Sequence, residues 1–209
     1  MAECDSTVFV IDDDEGIRFS LARALGKRGF VVETFASATA FLEVFDASQT
    51  GCIVLDHGMP DMTGLELQAK LVADGFTVPI IFITGHGGVP ESVQAMKAGA
   101  IDFLEKPFRT EALVERIKEA IKTNASKSAQ REKALEAKAK LDMLTSREME
   151  IVALIVSDPS NTTSKEIARV LDISPRTVDH HRARILEKLQ IKSIVELIDL
   201  TISSNSVTR

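Results

Sequence analysis

The amino-acid sequence predicts an α/β domain built on a parallel sheet, followed by a small all-helical domain. Three observations carry this. Up to about residue 124, short apolar runs alternate with stretches of helical spacing. Residues 123–140 then turn to Ala, Lys, Glu and Ser with almost no large apolar side chains. From Thr145 onward every apolar pattern has helical spacing.

The first part divides into five strands and five helices. The apolar runs lie at residues 8–11, 31–35, 53–55, 80–84 and 101–104. Between and after them, helical spacing appears at Ile17/Leu21/Leu25, Phe41/Leu42/Phe45, Leu65/Leu67/Leu71, Val93/Met96 and Leu113/Ile117/Ile121. Strands alternating with helices make a parallel sheet, and its middle strands read as buried on both faces. The segment that follows has good helix propensity but little to bury. It is either a solvated linker or a helix that extends the one starting near Thr110 and pairs with a second copy. The second part shows three capping boxes, Thr145 with Glu148, Thr163 with Glu166 and Ser193 with Glu196. A fourth helix start is Ser174-Pro175, a capping hydroxyl before a proline at the first helical position. The expected organisation is a domain at 1–122, a largely helical linker at 123–143 and a four-helix domain at 144–209.

Charge separates the two parts. The net charge of −6 argues against a polyanion-binding protein. Residues 1–123, however, hold 11 Lys/Arg against 19 Asp/Glu, whereas residues 124–209 hold 14 against 12. The second part is therefore where a polyanion could dock. No apolar run is long enough to cross a bilayer, and the acidic N-terminal stretch lacks the pattern of a signal peptide. A cytoplasmic protein without a membrane partner is expected. Two cysteines, Cys4 and Cys52, are too few for a disulfide framework or a zinc site, and Cys52 reads as a small buried residue.

In a parallel α/β sheet, ligands bind beyond the carboxyl ends of the strands. The first strand ends in Asp12-Asp13-Asp14-Glu15, the third in Asp56, the fourth in Thr84 and the fifth in Lys106-Pro107. Clustered carboxylates repel one another unless a cation joins them. A hard divalent ion with oxygen ligands resolves this, and Mg²⁺ suits a site with few protein ligands and several waters. A carboxylate is a competent nucleophile toward a phosphoryl group. Mg²⁺ and Lys106 could neutralise the transferring oxygens, and Thr84 could donate a hydrogen bond to one of them.

VFVIDDDEGIR, CIVLDHGMPDMTGLEL and VPIIFITGHGGVPESVQAMKAGAIDFLEKPF together resemble the receiver domain of response regulators, particularly the FixJ type, over residues 6–122. The resemblance implies a five-stranded (βα)₅ flavodoxin-like fold with Asp56 as phosphoacceptor. It implies that Asp13 and Asp56 bind Mg²⁺ with the Gly58 carbonyl, and that Asp12 acts mainly through a bound water. Thr84 and Lys106 contact the phosphoryl group, and Lys106-Pro107 is a cis peptide. Phe103 stands at the family's switch position and turns inward when Thr84 moves, with residues 89–98 and 101–104 as the dimerisation face. Two features depart from common receivers: His57-Gly58 after the acceptor and Gly87-Gly88 after Thr84. Both bear on switching kinetics and phosphoryl lifetime. His57 and His86 read as bystanders to the acidic site.

Helix-turn-helix modules place a second helix in the DNA major groove. PRTVDHHRARILEKL, residues 175–189, is the candidate. Val178, Ile185 and Leu189 share an inward face, with Arg176, Thr177, Asp179, His180, Arg182, Ala183 and Lys188 outside. Residues 163–171 form the supporting helix. LTSREMEIVALI, SKEIARVLDISPRTVDHHRARILEKL and KSIVELI resemble the LuxR/NarL-type helix-turn-helix over residues 145–200. That implies a four-helix domain that dimerises through its last helix, residues 193–203. His181, Arg182, Arg184 and Lys188 are assigned to phosphate contacts or packing, and Asp179, His180 and Ala183 to base readout. The connection SDPSNTTSK is longer than the family's usual loop and so departs from its phosphate-contacting form, and Lys165 can supply a phosphate contact.

The expected protein is a regulator rather than an enzyme, although the receiver assists its own phosphoryl transfer. A histidine kinase phosphorylates Asp56 with Mg²⁺, after which a homodimer binds double-stranded DNA. Three alternatives remain. A carboxylate-nucleophile phosphohydrolase would carry a second aspartate where Gly58 stands. A flavodoxin-like cofactor binder would need a phosphate loop in place of Asp12–Glu15. A phosphorylation-independent DNA binder would carry the acidic site as a vestige.

Overall fold

The computed structural model describes residues 6–46, 50–85, 89–158 and 163–204. Cys4, His86, Gly87, Gly88 and the part of the long connection at 159–162 lie outside the described residues. The chain forms two compact units, Met1–Ala125 and Ser126–Arg209.

In the first unit the strands β1 (Thr7–Ile11), β2 (Val31–Phe35), β3 (Gly51–Asp56), β4 (Ile80–Thr84) and β5 (Asp102–Glu105) form one sheet in the order β2-β1-β3-β4-β5. All neighbours are parallel. The α/β fold expected from the sequence is the fold observed. The helices are α1 (Glu15–Gly26), α2 (Ala38–Val44), α3 (Gly64–Ala73), α4 (Val89–Lys97) and α5 (Thr110–Leu141). Every residue of β3 and β4 is buried, whereas the edge strands β2 and β5 are only partly so. Side chains alternate across a strand, so the apolar runs feed two cores. Phe9, Ile11, Ile53, Leu55 and Phe82 meet Phe41, Leu67, Leu71 and Ala95 of α2, α3 and α4. Val8, Val10, Val54, Ile81 and Ile83 meet Leu21 and Leu25 of α1 and Leu113, Val114 and Ile117 of α5. Cys52 is a free, buried thiol in the second of these cores, and burial raises its pKa to about 12.

Strands β1 and β3 reach beyond the apolar runs at 8–11 and 53–55, and two further elements differ from expectation. Strand β5 starts one residue later than the apolar run, at Asp102; Ile101, just ahead of it, gives its N–H to the Ile80 carbonyl. Helix α3 begins with a capping box that the sequence reading passed over. The Thr63 hydroxyl accepts from the Glu66 N–H, and the Glu66 carboxylate accepts from the Thr63 N–H.

Gly64, the next residue, lets α3 start directly under the end of β3. A Cβ there would lie 2.5 Å from the Asp56 carbonyl oxygen and 2.8 Å from the Phe82 ring. Gly64→Ala is therefore expected to lower stability by ~1–3 kcal/mol, the usual cost of overpacking. Thermal unfolding by circular dichroism checks this; an unchanged midpoint would contradict it.

Helix α5 runs unbroken over 32 residues, so the linker residues up to Leu141 are helical. Ala134, Ala137 and Leu141 are buried while Leu135 is exposed. Besides the end of α5, the second unit holds α6 (Ser146–Ser157), α7 (Ser164–Leu171), α8 (Pro175–Leu189) and α9 (Ile194–Ser204). Its core gathers Ile151, Ile155, Ile167, Val178, Ile185, Leu189 and Leu197. Thr145 and Thr163 form the expected reciprocal capping boxes, and Ser174 caps α8 ahead of Pro175. Ser193 also opens α9 as expected, with one difference. Its hydroxyl accepts from the Glu196 N–H and donates to the Glu196 carboxylate, but that carboxylate takes the Lys192 N–H in place of the Ser193 N–H.

Candidate functional site

The carboxyl ends of β1, β3, β4 and β5 bring four predicted residues to one edge of the sheet. Asp12 is 1 % exposed, Asp56 7 % and Thr84 3 %. The Lys106 ammonium lies 2.7 Å from Asp12 Oδ2 and 2.7 Å from Asp56 Oδ1, bridging the two carboxylates. Each carboxylate also accepts a backbone N–H, Asp12 Oδ1 from Asp14 and Asp56 Oδ2 from Gly58. Lys106 is itself held by its backbone, whose N–H donates to the Thr84 carbonyl, and Lys106–Pro107 is cis as expected.

Electrostatics follow from this packing. Burial raises the Asp12 pKa, against the hydrogen bonds from Lys106 and from the Asp14 N–H. For Lys106, burial pulls the pKa down, but hydrogen bonds to Asp12 and Asp56 outweigh it and hold the ammonium above the ordinary lysine value. Lys106 is therefore a permanent positive charge at neutral pH.

The other acids of the run do different work. Asp13 is exposed, Asp14 caps α1 by accepting from the Ile17 N–H, and Glu15 opens that helix. Arg18 also belongs to the site, though nothing in its immediate sequence singles it out. Its guanidinium donates to the carbonyls of Asp12 and Asp13 and so fixes the loop that carries them. Its only mark is its position, one helical turn past a helix N-cap and within reach of the preceding loop.

Among the described residues no three His, Cys, Asp or Glu side chains converge as a set able to hold a metal. An ion that keeps most of its water and takes one or two carboxylates makes a smaller demand. Asp12 and Asp56 are hard oxygen donors of that kind, with a single ammonium between them, so the donor chemistry fits Mg²⁺.

Phe103 is half-buried on β5, paired in register with Phe82 on β4. The two rings stack at 6.1 Å, and His57 stands edge-on to Phe103 at 6.5 Å.

In the second unit α8 presents the predicted inward face, with Val178, Ile185 and Leu189 buried. Arg176, Thr177, Asp179, His180, Ala183 and Arg184 are exposed, as is Lys165 on α7. His181 and Arg182 are half-buried. Three of the predicted contact residues are engaged inside the unit. Lys188 was expected outside; its ammonium lies 2.6 Å from the buried Glu148 carboxylate. Asp179 accepts from the Ser164 hydroxyl, which also takes a bond from Arg182, so the pair ties α7 to α8. Glu148, which sequence reasoning counted only as a capping residue, also receives the Thr145 N–H and hydroxyl. The hydrogen bond from Lys188 is the main reason its pKa falls to about 2.

Residues 8–118 match the response regulator receiver domain model, and residues 142–201 match that of bacterial regulatory proteins of the luxR family. The chain belongs to the response regulator family. The regulator is 41 % identical to the transcriptional regulatory protein FixJ of Rhizobium meliloti, over 95 % of this chain and 96 % of that protein. It is 38 % identical to the response regulator protein TmoT of Ectopseudomonas mendocina, over 96 % and 90 % of the two chains. Among solved structures it resembles the response regulator StyR, with a TM-score of 0.82 and 42 % identity over 95 % of this chain and 99 % of that one. It also resembles full-length FixJ of B. japonicum, with a TM-score of 0.60 and 37 % identity over 96 % and 98 %. The regulator thus joins a receiver domain to a LuxR-type DNA-binding domain and is a transcriptional regulator, not a classical enzyme. Among the described residues no helix is long and apolar enough to cross a membrane.

Proposed function

We propose that this regulator accepts a phosphoryl group on Asp56 and that the modified protein binds DNA as a dimer. The observation that carries this is the Lys106 ammonium bridging Asp12 and Asp56 at the sheet edge. A carboxylate oxygen of Asp56 attacks the phosphorus of a phosphohistidine or a small phosphodonor. The P–O bond forms as the donor's bond to phosphorus breaks, and the electron pair leaves with the donor. Lys106 neutralises charge on the transferring oxygens, and Thr84 donates a hydrogen bond to one of them. Mg²⁺, held by Asp13, Asp56 and the Gly58 carbonyl with Asp12 behind a water, would supply further neutralising charge. The same residues would assist hydrolysis of the acyl phosphate. The cognate partner is a histidine kinase, and the protein would act in the cytoplasm.

Thr84 and Phe103 would then shift, and two surfaces support pairing. Val93 and Met96 on α4 are exposed apolar side chains, as are Val195 and Ile202 on α9. The proposed domain limits are 1–122 and 144–209, joined by the largely helical 123–143.

On DNA, α8 would enter the major groove. Arg176, Arg184 and Lys165 serve as phosphate contacts, and Thr177, His180 and Ala183 face base edges. Asp179 and Arg182 hold that helix to α7, and Lys188 serves the fold. Arg184→Gln should therefore lower the salt slope of DNA binding by about one, whereas Lys188→Gln should leave the slope unchanged and lower stability. Binding to duplex DNA titrated at several salt concentrations, beside thermal unfolding, separates the two.

The test of the central reading compares the native chain with Asp56→Asn in Mg²⁺ and acetyl phosphate. Native protein should gain one phosphoryl mass, sediment as a dimer and bind DNA more tightly. Asp56→Asn should do none of these. Identical behaviour of the two would favour a phosphorylation-independent regulator.

A further inference from the structure

His57 follows the proposed acceptor directly, and its backbone is fixed: its N–H donates to the Ile83 carbonyl and its carbonyl accepts from the Gly64 N–H. Its imidazole stands 6.5 Å from the rings of both Phe82 and Phe103. Its Nε2 is buried and has no hydrogen-bond partner among the described residues. Phe82 is fully buried in the sheet and has nowhere to go, whereas Phe103 is half-buried on the edge strand. Of the two aromatic neighbours of the imidazole, Phe103 is therefore the one with room beside it.

We propose that His57 is a positioning residue for Phe103, and that its unpartnered Nε2 biases the ring away from the resting pose seen here. This rests on reading Asp56 as the phosphoacceptor and Phe103 as the ring that responds. The reason is physical. A buried polar atom without a partner penalises the conformation that buries it. When Phe103 moves off, water or a hydroxyl can reach Nε2, and the penalty is lifted in the shifted state only. An apolar side chain at position 57 carries no such penalty, so it stabilises the resting pose relative to the shifted one. His57 touches neither Lys106 nor the carboxylate oxygens of Asp12 and Asp56 among the hydrogen bonds and ion pairs found there. The chemistry of phosphoryl uptake should therefore survive its replacement.

The test uses the full chain carrying 4-fluorophenylalanine, with the Phe103 resonance identified by its loss in Phe103→Leu. Native protein, His57→Leu and His57→Gln are compared with Mg²⁺ and acetyl phosphate, by mass for phosphoryl uptake and by fluorine resonance for the ring. All three should gain the phosphoryl mass at rates within about twofold of one another. In His57→Leu the shifted population of Phe103 in the modified protein should fall by about tenfold, the scale of one unsatisfied buried polar group. His57→Gln, which returns a polar atom near the Nε2 position, should restore it. Equal Phe103 populations in all three phosphorylated proteins would overturn the proposal. So would a loss in both variants alike, which would mean that ring packing alone matters. Absence of phosphoryl mass in native protein would overturn the acceptor reading itself, and the coupling with it.

Discussion

Lys106→Met is expected to slow phosphoryl uptake at Asp56 by about a hundredfold or more, the usual loss when one positioned charge is removed from a reacting oxyanion. The same substitution leaves Asp12 and Asp56 without their shared cation at a buried edge. Breaking a buried ion pair costs ~3–5 kcal/mol, and because Lys106 is about one-fifth exposed to water the expected loss of stability is smaller, about 2–3 kcal/mol. Its pH dependence has a definite sign. The Asp12 pKa is already raised by burial, and the substitution removes the hydrogen bond and charge that oppose the rise. A carboxyl whose folded pKa exceeds its unfolded value penalises the fold above that pKa and ceases to do so once protonated. The stability deficit of Lys106→Met should therefore shrink as pH falls toward the unfolded value of 3.8. Added Mg²⁺ should shrink it at neutral pH. Mass-monitored uptake and thermal melts across pH check these points; a deficit that grows on acidification, in the first unit, would contradict the account.

Glu148→Ala is the second large effect expected, and it falls on the DNA-binding unit. The Glu148 side chain closes the cap of α6 and pairs with Lys188 of α8 while only 2 % exposed. Its loss removes a cap, worth ~1 kcal/mol, and a partner of a half-exposed ammonium, so a total of about 2–3 kcal/mol is expected. Glu148→Gln should lose less, because the amide oxygen still accepts from Thr145. The folded pKa of about 2 lies below the ordinary value of 4.5. The contribution of Glu148 is therefore complete above pH 4.5 and is lost as pH falls from there toward 2. Native protein should show this acid-dependent loss of helicity by circular dichroism, and Glu148→Ala should show less of it.

The local features of both units could be read in the chain because they depend on nearest neighbours. Alternating apolar runs and helical spacing, the Thr145 and Thr163 caps and Ser174-Pro175 each express a backbone preference within a few residues. The sheet-edge placement of Asp12, Asp56, Thr84 and Lys106 was legible for the same reason, since parallel strands deliver their carboxyl ends to one side. Within the family resemblance, the cis Lys106–Pro107 bond was legible too.

Contacts between residues far apart in sequence were not legible. Lys188 looks like any exposed cation of a basic helix until folding brings it 2.6 Å from Glu148, 40 residues away. Asp179 reads as a base-reading acid until Ser164 is seen to donate to it. A charged side chain has no single destination written in its type. Its partner is decided by which surfaces the core brings together. The sequence alone therefore determined the two-part architecture, the elements and the acidic edge, because backbone pattern and burial propagate locally. Tertiary structure alone decided which charges face water and which face each other, because that choice is made when distant elements pack.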